Sequence, residues 1–118
     1  MKSVYRLETE AGEEVAAHVE VADRILSRFL GLMFRDSLAA GHGLAIRPCN
    51  SVHMFFMRFP LDVLFVDGNG TVLRVVDSIK PWRASTLVRG AKAAIELPAG
   101  TAARAGVAPG TVVRMVEA

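Results

Sequence analysis

Hydrophobic and polar positions alternate along most of this chain, and turn residues interrupt the alternation more often than helical repeats do. Residues 3–22, SVYRLETEAGEEVAAHVEVA, read as a β-hairpin turning at TEAGEE. In the second arm Val15, Ala17, Val19 and Val21 fall on one face, and Glu14, Ala16, His18 and Glu20 on the other. This is the period of two of a half-buried strand, and it predicts that His18 faces solvent. The period changes at DRILSRFLGLM (23–33), where Ile25, Leu26, Phe29 and Leu30 share one helical face. Asp23 can cap the start of that helix and Gly31 can end it. So short a helix has to pack on a sheet to persist. A loop, RDSLAAGHG, and a short strand, LAIR, follow.

Residues 48–60, PCNSVHMFFMRFP, concentrate the only Cys with one His, two Met and three Phe. Read as extended, Ser51, His53, Phe55, Met57 and Phe59 share one face, and Val52, Met54, Phe56 and Arg58 the other; a short helix also fits. Next, PLDVLFVDGNGTVLRVVDSI is two β-rich runs around DGNG, a strong hairpin signal. KPWRASTLVRG is irregular, AKAAIEL predicts a strand ended by Pro98 and Gly100, TAARAGVAPG a turn-rich link with room for one helical turn, and TVVRMVEA a last strand. About seven short strands and one clear helix are too few helices for a parallel α/β architecture. The pattern predicts a mainly β, mainly antiparallel fold: a sandwich or partly open barrel with one short packed helix.

Composition narrows this reading. A length of 118 residues predicts a single domain spanning 1–118 with a real core. The hydrophobic fraction of 52% argues against disorder. Fourteen basic residues against twelve acidic ones are scattered and form no dense patch, which argues against nucleic-acid binding. One cysteine cannot build a disulfide framework. The opening residues lack the apolar run of a signal peptide, and no stretch approaches the ~18 apolar residues of a membrane span. The expectation is a cytoplasmic protein with no membrane or nucleic-acid partner.

The motifs GLMFR (31–35), SL (37–38), HMFFMRFPLDVLFVDGNGTV (53–72), AIELPAG (94–100) and GVAPG (106–110) occur here in the order seen in the bacterial and archaeal family DUF192, or UPF0127, which the chain resembles from about Ala22 to its end. The resemblance implies a small, single, mainly β domain and supplies no reaction, since the family's function is not established. Many relatives have a central W-M-K-N-T-x-x-P-L-D-x-x-F. Aligning FMRF on WMKN puts Phe56, Arg58 and Phe59 at the Trp, Lys and Asn positions, so a polar network resting on that Asn does not transfer.

Candidate chemistry centres on a few side chains. Cys49 and His53, with Asp62 and His42, are competent metal ligands, but four residues of strand span about 13 Å and no second Cys or His pair reinforces them. A small buried hydrophobe is the better reading of Cys49, and no metal or other cofactor is expected. Met54 and Met57 suit core gaps better than soft-metal ligation. A Cys49–His53 nucleophile–base pair lacks any sign of an oxyanion hole. Asp62, between Leu61 and Val63 in an apolar strand, has to be paired: Arg35, Arg58 or a run of backbone N–H groups can satisfy it, or it anchors a ligand amine. Glu96, between Ile95 and Leu97, poses the same question, and strand alternation can place it outside with Ala94. Two such acids also serve general acid–base chemistry when about 5–9 Å apart. Arg35, Arg47, Arg58 and Arg83 suit an anion, and Trp82 a pocket roof or loop anchor.

These readings favour a non-catalytic module binding a small molecule or peptide, with Arg35, His53, Met57, Arg58, Asp62, Trp82 and Glu96 as its candidate residues. A small hydrolase using Asp62 with His53 or Cys49 is one alternative, and a structural interaction module another.

Overall fold

The computed structural model describes residues 4–22, 38–48, 59–80, 83–85 and 87–118. The described residues form seven strands and one short helix: β1 (Val4–Thr9), β2 (Glu14–Ala22), β3 (His42–Ile46), β4 (Leu61–Val66), β5 (Val72–Ile79), β6 (Ala93–Pro98), α1 (Thr101–Ala105) and β7 (Val113–Glu117). All seven strands join one sheet in the order β5-β4-β6-β3-β2-β1-β7. Of the two predicted architectures, the structure takes the partly open barrel: a single curled half-barrel sheet. Every pairing is antiparallel except β2 with β3, which run parallel.

The two hairpins form where the turn residues predict. In DGNG, Asp67 Oδ1 accepts hydrogen bonds from the N–H groups of Asn69 and Thr71, both at 2.9 Å. Gly70, at φ 83, then turns the chain towards β7. There the Val113 N–H donates to the Gly70 carbonyl at 2.9 Å, and the Val72 N–H to the Thr111 carbonyl at 2.8 Å. These bonds bring the two edge strands together at one corner and curl the sheet.

The alternation expected in β2 needs a correction. The β1–β2 register shifts twice between Glu14 and Val19. Ala17 and His18 both donate their N–H groups to the Gly41 carbonyl, each at 2.9 Å. The extra residues reverse the alanines: Ala16 is buried and Ala17 exposed. Periodicity alone cannot show a bulge of this kind.

Both faces of the sheet are apolar at its centre. Leu7, Val15, Val19, Leu64, Ile95 and Leu97 lie in the first cluster, which α1 covers through Ala102 and Ala105. Leu44, Ile46, Leu61, Val63, Phe65 and Ala94 form the second, against which Leu38 and Phe59 pack. All six residues of β4 are therefore buried, as in a central strand covered on both sides. The helix expected at 23–31 lies outside the described residues; α1 falls in the link where one helical turn was expected.

Candidate functional site: two buried carboxyls on opposite faces

The β4–β6 register brings the two singled-out acids to neighbouring positions. Asp62 pairs with Leu97, and Val63 with Glu96. Successive residues of a strand point to opposite faces. Asp62 therefore lies on the first face with Leu97, and Glu96 on the second with Val63. The two carboxyls do not form an acid–base pair.

Asp62 is fully buried, and its carboxylate is surrounded by backbone donors. The Ser78 N–H donates to Oδ1 at 2.8 Å. The N–H groups of Gly100 and Ala102 donate to Oδ2 at 3.0 and 2.9 Å. Ser78 sits at φ 48, where β5 carries one residue too many for β4 between the pairs Leu61–Ile79 and Val63–Val76. Gly100, at φ 93, precedes α1, which has no side-chain cap of its own. One carboxylate thus fastens a β-bulge and supplies the N-terminal acceptor of a helix from another strand. Of the partners open to Asp62 from sequence, these are the backbone N–H groups, with both oxygens engaged.

Glu96 presents the opposite case. Only 6% of it is exposed, yet no hydrogen bond or ion pair to its carboxyl forms among the described residues. It sits between Leu44 of β3 and Val63 of β4. Burial among these side chains pushes its pKa up from 4.5 to about 7. The expectation that strand alternation puts Glu96 outside with Ala94 is overturned, because both residues are buried. The second face is covered here, so alternation no longer separates inside from outside.

The registers extend this site into a row. Glu20 pairs with Leu44, Leu44 with Glu96, Glu96 with Val63, and Val63 with Val76. Directly paired residues share a face, so Glu20 and Glu96 flank Leu44 on the same side. One step along, His18 pairs with His42 and their rings stack at 4.5 Å. His18 Nε2 lies 3.8 Å from the Glu20 carboxylate; His18 is half-buried rather than fully turned to solvent. Towards β7 the same face becomes charged. There Glu8 accepts from Arg114 at 2.9 Å and from Arg6 at 3.2 Å, and these arginines hold its carboxyl below the usual range.

Of the residues predicted to bind a ligand, Asp62 and Glu96 are described, and of the metal and anion candidates His42, Arg47 and Arg83 are described and exposed. Arg35, Cys49, His53, Met57, Arg58 and Trp82 lie outside the described residues. His42 and Asp62, considered together as ligands, belong to opposite faces. No group of three His, Cys, Asp or Glu is arranged to hold a metal ion among the described residues. Nor is any helix among them long and apolar enough to cross a membrane. The sequence reading passed over Glu20 as a neighbour of Glu96, because the parallel pairing of β2 with β3 leaves no local signal.

A half-barrel β domain of this kind has known counterparts. The DUF192 family model, described as "Uncharacterized ACR", matches residues 6–115. Curated relatives include a UPF0127 protein of Pyrococcus furiosus, 39% identical over 97 residues, covering 80% of this chain and 83% of the relative. Another, from Pyrococcus horikoshii, is 41% identical over 87 residues, with 70% and 73% covered. The chain belongs to the DUF192 family. Among solved structures, a proposed transcription regulator from Sinorhizobium meliloti matches with a TM-score of 0.81 and 30% identity, over 98% of this chain and 94% of that one. A protein of unknown function from Novosphingobium aromaticivorans shares the fold, with a TM-score of 0.81 at 24% identity, over 96% and 84% of the two chains.

Proposed function

We propose that this domain is a non-catalytic module that binds a small molecule or peptide on the second face of its sheet, with Glu96 as the anchor. The observation that carries this reading is the Glu96 carboxyl, buried among Leu44, Val63 and Ala94, to which no hydrogen bond or ion pair forms among the described residues. A buried polar group without a hydrogen bond is costly and rare in folded proteins. An apolar surface with one convergent polar group is the usual make-up of a ligand site. Catalysis has less support, because the two candidate acids face away from one another.

The test is a fragment screen followed by backbone amide NMR shifts, on the wild type and on Glu96→Gln. The expected hits perturb Leu44, Val63, Ala94 and Glu96 and lose their effect in the variant. Hits that bind the variant equally, or that perturb only the first face, contradict the assignment.

A further inference from the structure

We propose that His18 and His42 form a surface chelating site for a divalent transition-metal ion of the Zn²⁺, Ni²⁺ or Cu²⁺ kind, with Glu20 beside it. The site goes beyond the reading above and does not involve Glu96. The parallel register puts His18 of β2 directly opposite His42 of β3. Paired residues share a face, and strands about 4.8 Å apart bring their side chains within reach of one ion. The ring centroids are 4.5 Å apart and the ring planes 27° apart. Two imidazoles at adjacent positions of one metal, each bonded at about 2.0–2.1 Å, have centroids about 4.5–5 Å apart. The rings therefore already have the spacing of a chelate. A turn of each about χ2, a broad torsion in histidine, aims one nitrogen of each at a common point. The site is open: His42 is exposed, and the His18 and Glu20 side chains keep 42% and 33% of their surface.

Ligand type selects the ion. Imidazole nitrogen suits Zn²⁺, Cu²⁺ and Ni²⁺, whereas Mg²⁺ and Ca²⁺ take oxygen. Glu20 adds negative charge, with Oε1 3.8 Å from His18 Nε2. No third side chain among the described residues completes a closed cage. Water therefore fills the remaining positions, and the Glu20 carboxylate accepts a hydrogen bond from that water, as outer partners of metal sites do. Arg6 of β1 follows Tyr5, the partner of Val19, and its guanidinium is already held by Glu8 at 3.2 Å, which offsets its repulsion of a cation.

Isothermal titration of the whole, untagged chain with nickel, zinc and magnesium chlorides, after EDTA treatment and desalting, separates a chelate from two rings that only pack. Ni²⁺ is expected to bind one per chain, Zn²⁺ at the same site, and Mg²⁺ not at all. His18→Ala and His42→Ala should each lower Ni²⁺ affinity tenfold or more. The double variant should lose little beyond either, because one imidazole cannot chelate. Glu20→Gln should cost less than either histidine, and His53→Ala, the third histidine of the chain, nothing. Zn²⁺ should also shift the ring NMR signals of His18 and His42 together. Ni²⁺ affinity that is unchanged in both variants, that depends on one of the two histidines alone, or that falls in His53→Ala overturns the site. Equal binding of Mg²⁺, or no binding of Ni²⁺, overturns it as well. If His18→Ala loses its cooperative unfolding, His42→Ala, at an exposed position, decides alone.

Discussion

Asp62 and Glu96 occupy adjacent positions of one strand pair and are equally sequestered from water, yet the molecule treats them in opposite ways. Asp62 collects three backbone N–H groups from β5 and the start of α1. Glu96 collects none among the described residues, and burial pushes its pKa up to about 7. What separates them is the backbone each can see. On the first face a bulge and a helix start bring unpaired N–H groups to the carboxylate. On the second face the neighbours of Glu96 in the ladder are Leu44 and Val63, whose amides belong to the sheet. A buried acid with matched donors is a fastening that holds its charge; one without them among its described neighbours holds its proton to a higher pH.

The largest expected effect breaks the Asp62 side of this contrast. Asp62→Ala should cost about 2–4 kcal/mol in chemical denaturation, because it leaves buried N–H groups unsatisfied. A cost near zero would show that the three bonds hold nothing together.

Glu96→Gln should act in the other direction and depend on pH. With a folded pKa of about 7 against 4.5 unfolded, the folded state holds its proton after the unfolded state has lost it. Wild-type stability from this group therefore falls as pH rises from about 4.5 to about 7 and is level above that. The Gln variant lacks the slope and should gain up to about 3 kcal/mol over the wild type at pH 8, relative to their difference at pH 4. Parallel stability profiles across that window would remove the contrast.

A third substitution sharpens the comparison by striking what both faces share. A Cβ on Gly70, at φ 83, would meet the Val113 carbonyl oxygen at the corner that curls the sheet. Gly70→Ala should cost about 2–3 kcal/mol from left-handed strain and a disturbed hydrogen bond. It should leave the titration of Glu96 where it is, and a joint shift would mean that corner and site are coupled. The smallest effect belongs to Glu8, whose pKa is lowered by Arg114 and Arg6. Its contribution is present above 4.5 and lost as pH falls below that value, so Glu8→Gln should converge on wild-type stability in acid. Differences confined to neutral pH and above would contradict that.

Much of the frame was legible in the sequence because its signals are local. TEAGEE and DGNG mark turns by their own chemistry, and the strands beside them follow the period of two. The need of Asp62 for partners was also legible, since an acid in LDVLFV has no cheap place in a strand. Its actual partners were not, because Ser78, Gly100 and Ala102 are brought to it by pairings 16 to 40 residues long. Glu96 misled for a related reason. In AIEL, alternation suggests an outward acid, but the second apolar cluster buries that face as well. The exchange of Ala16 and Ala17 was hidden by a bulge, and the row joining Glu20 to Glu96 by a parallel pairing with no turn to announce it.

Among the described residues Glu96 carries a buried carboxyl to which no partner forms, and the most direct measurement is a side-chain ¹³C carboxyl NMR titration of the wild type, with Glu96→Gln to assign the resonance. A midpoint near 7 is expected for that one glutamate. A midpoint at the ordinary 4.5 would mean that Glu96 is solvated or already paired, and the distinction between the two faces would fall.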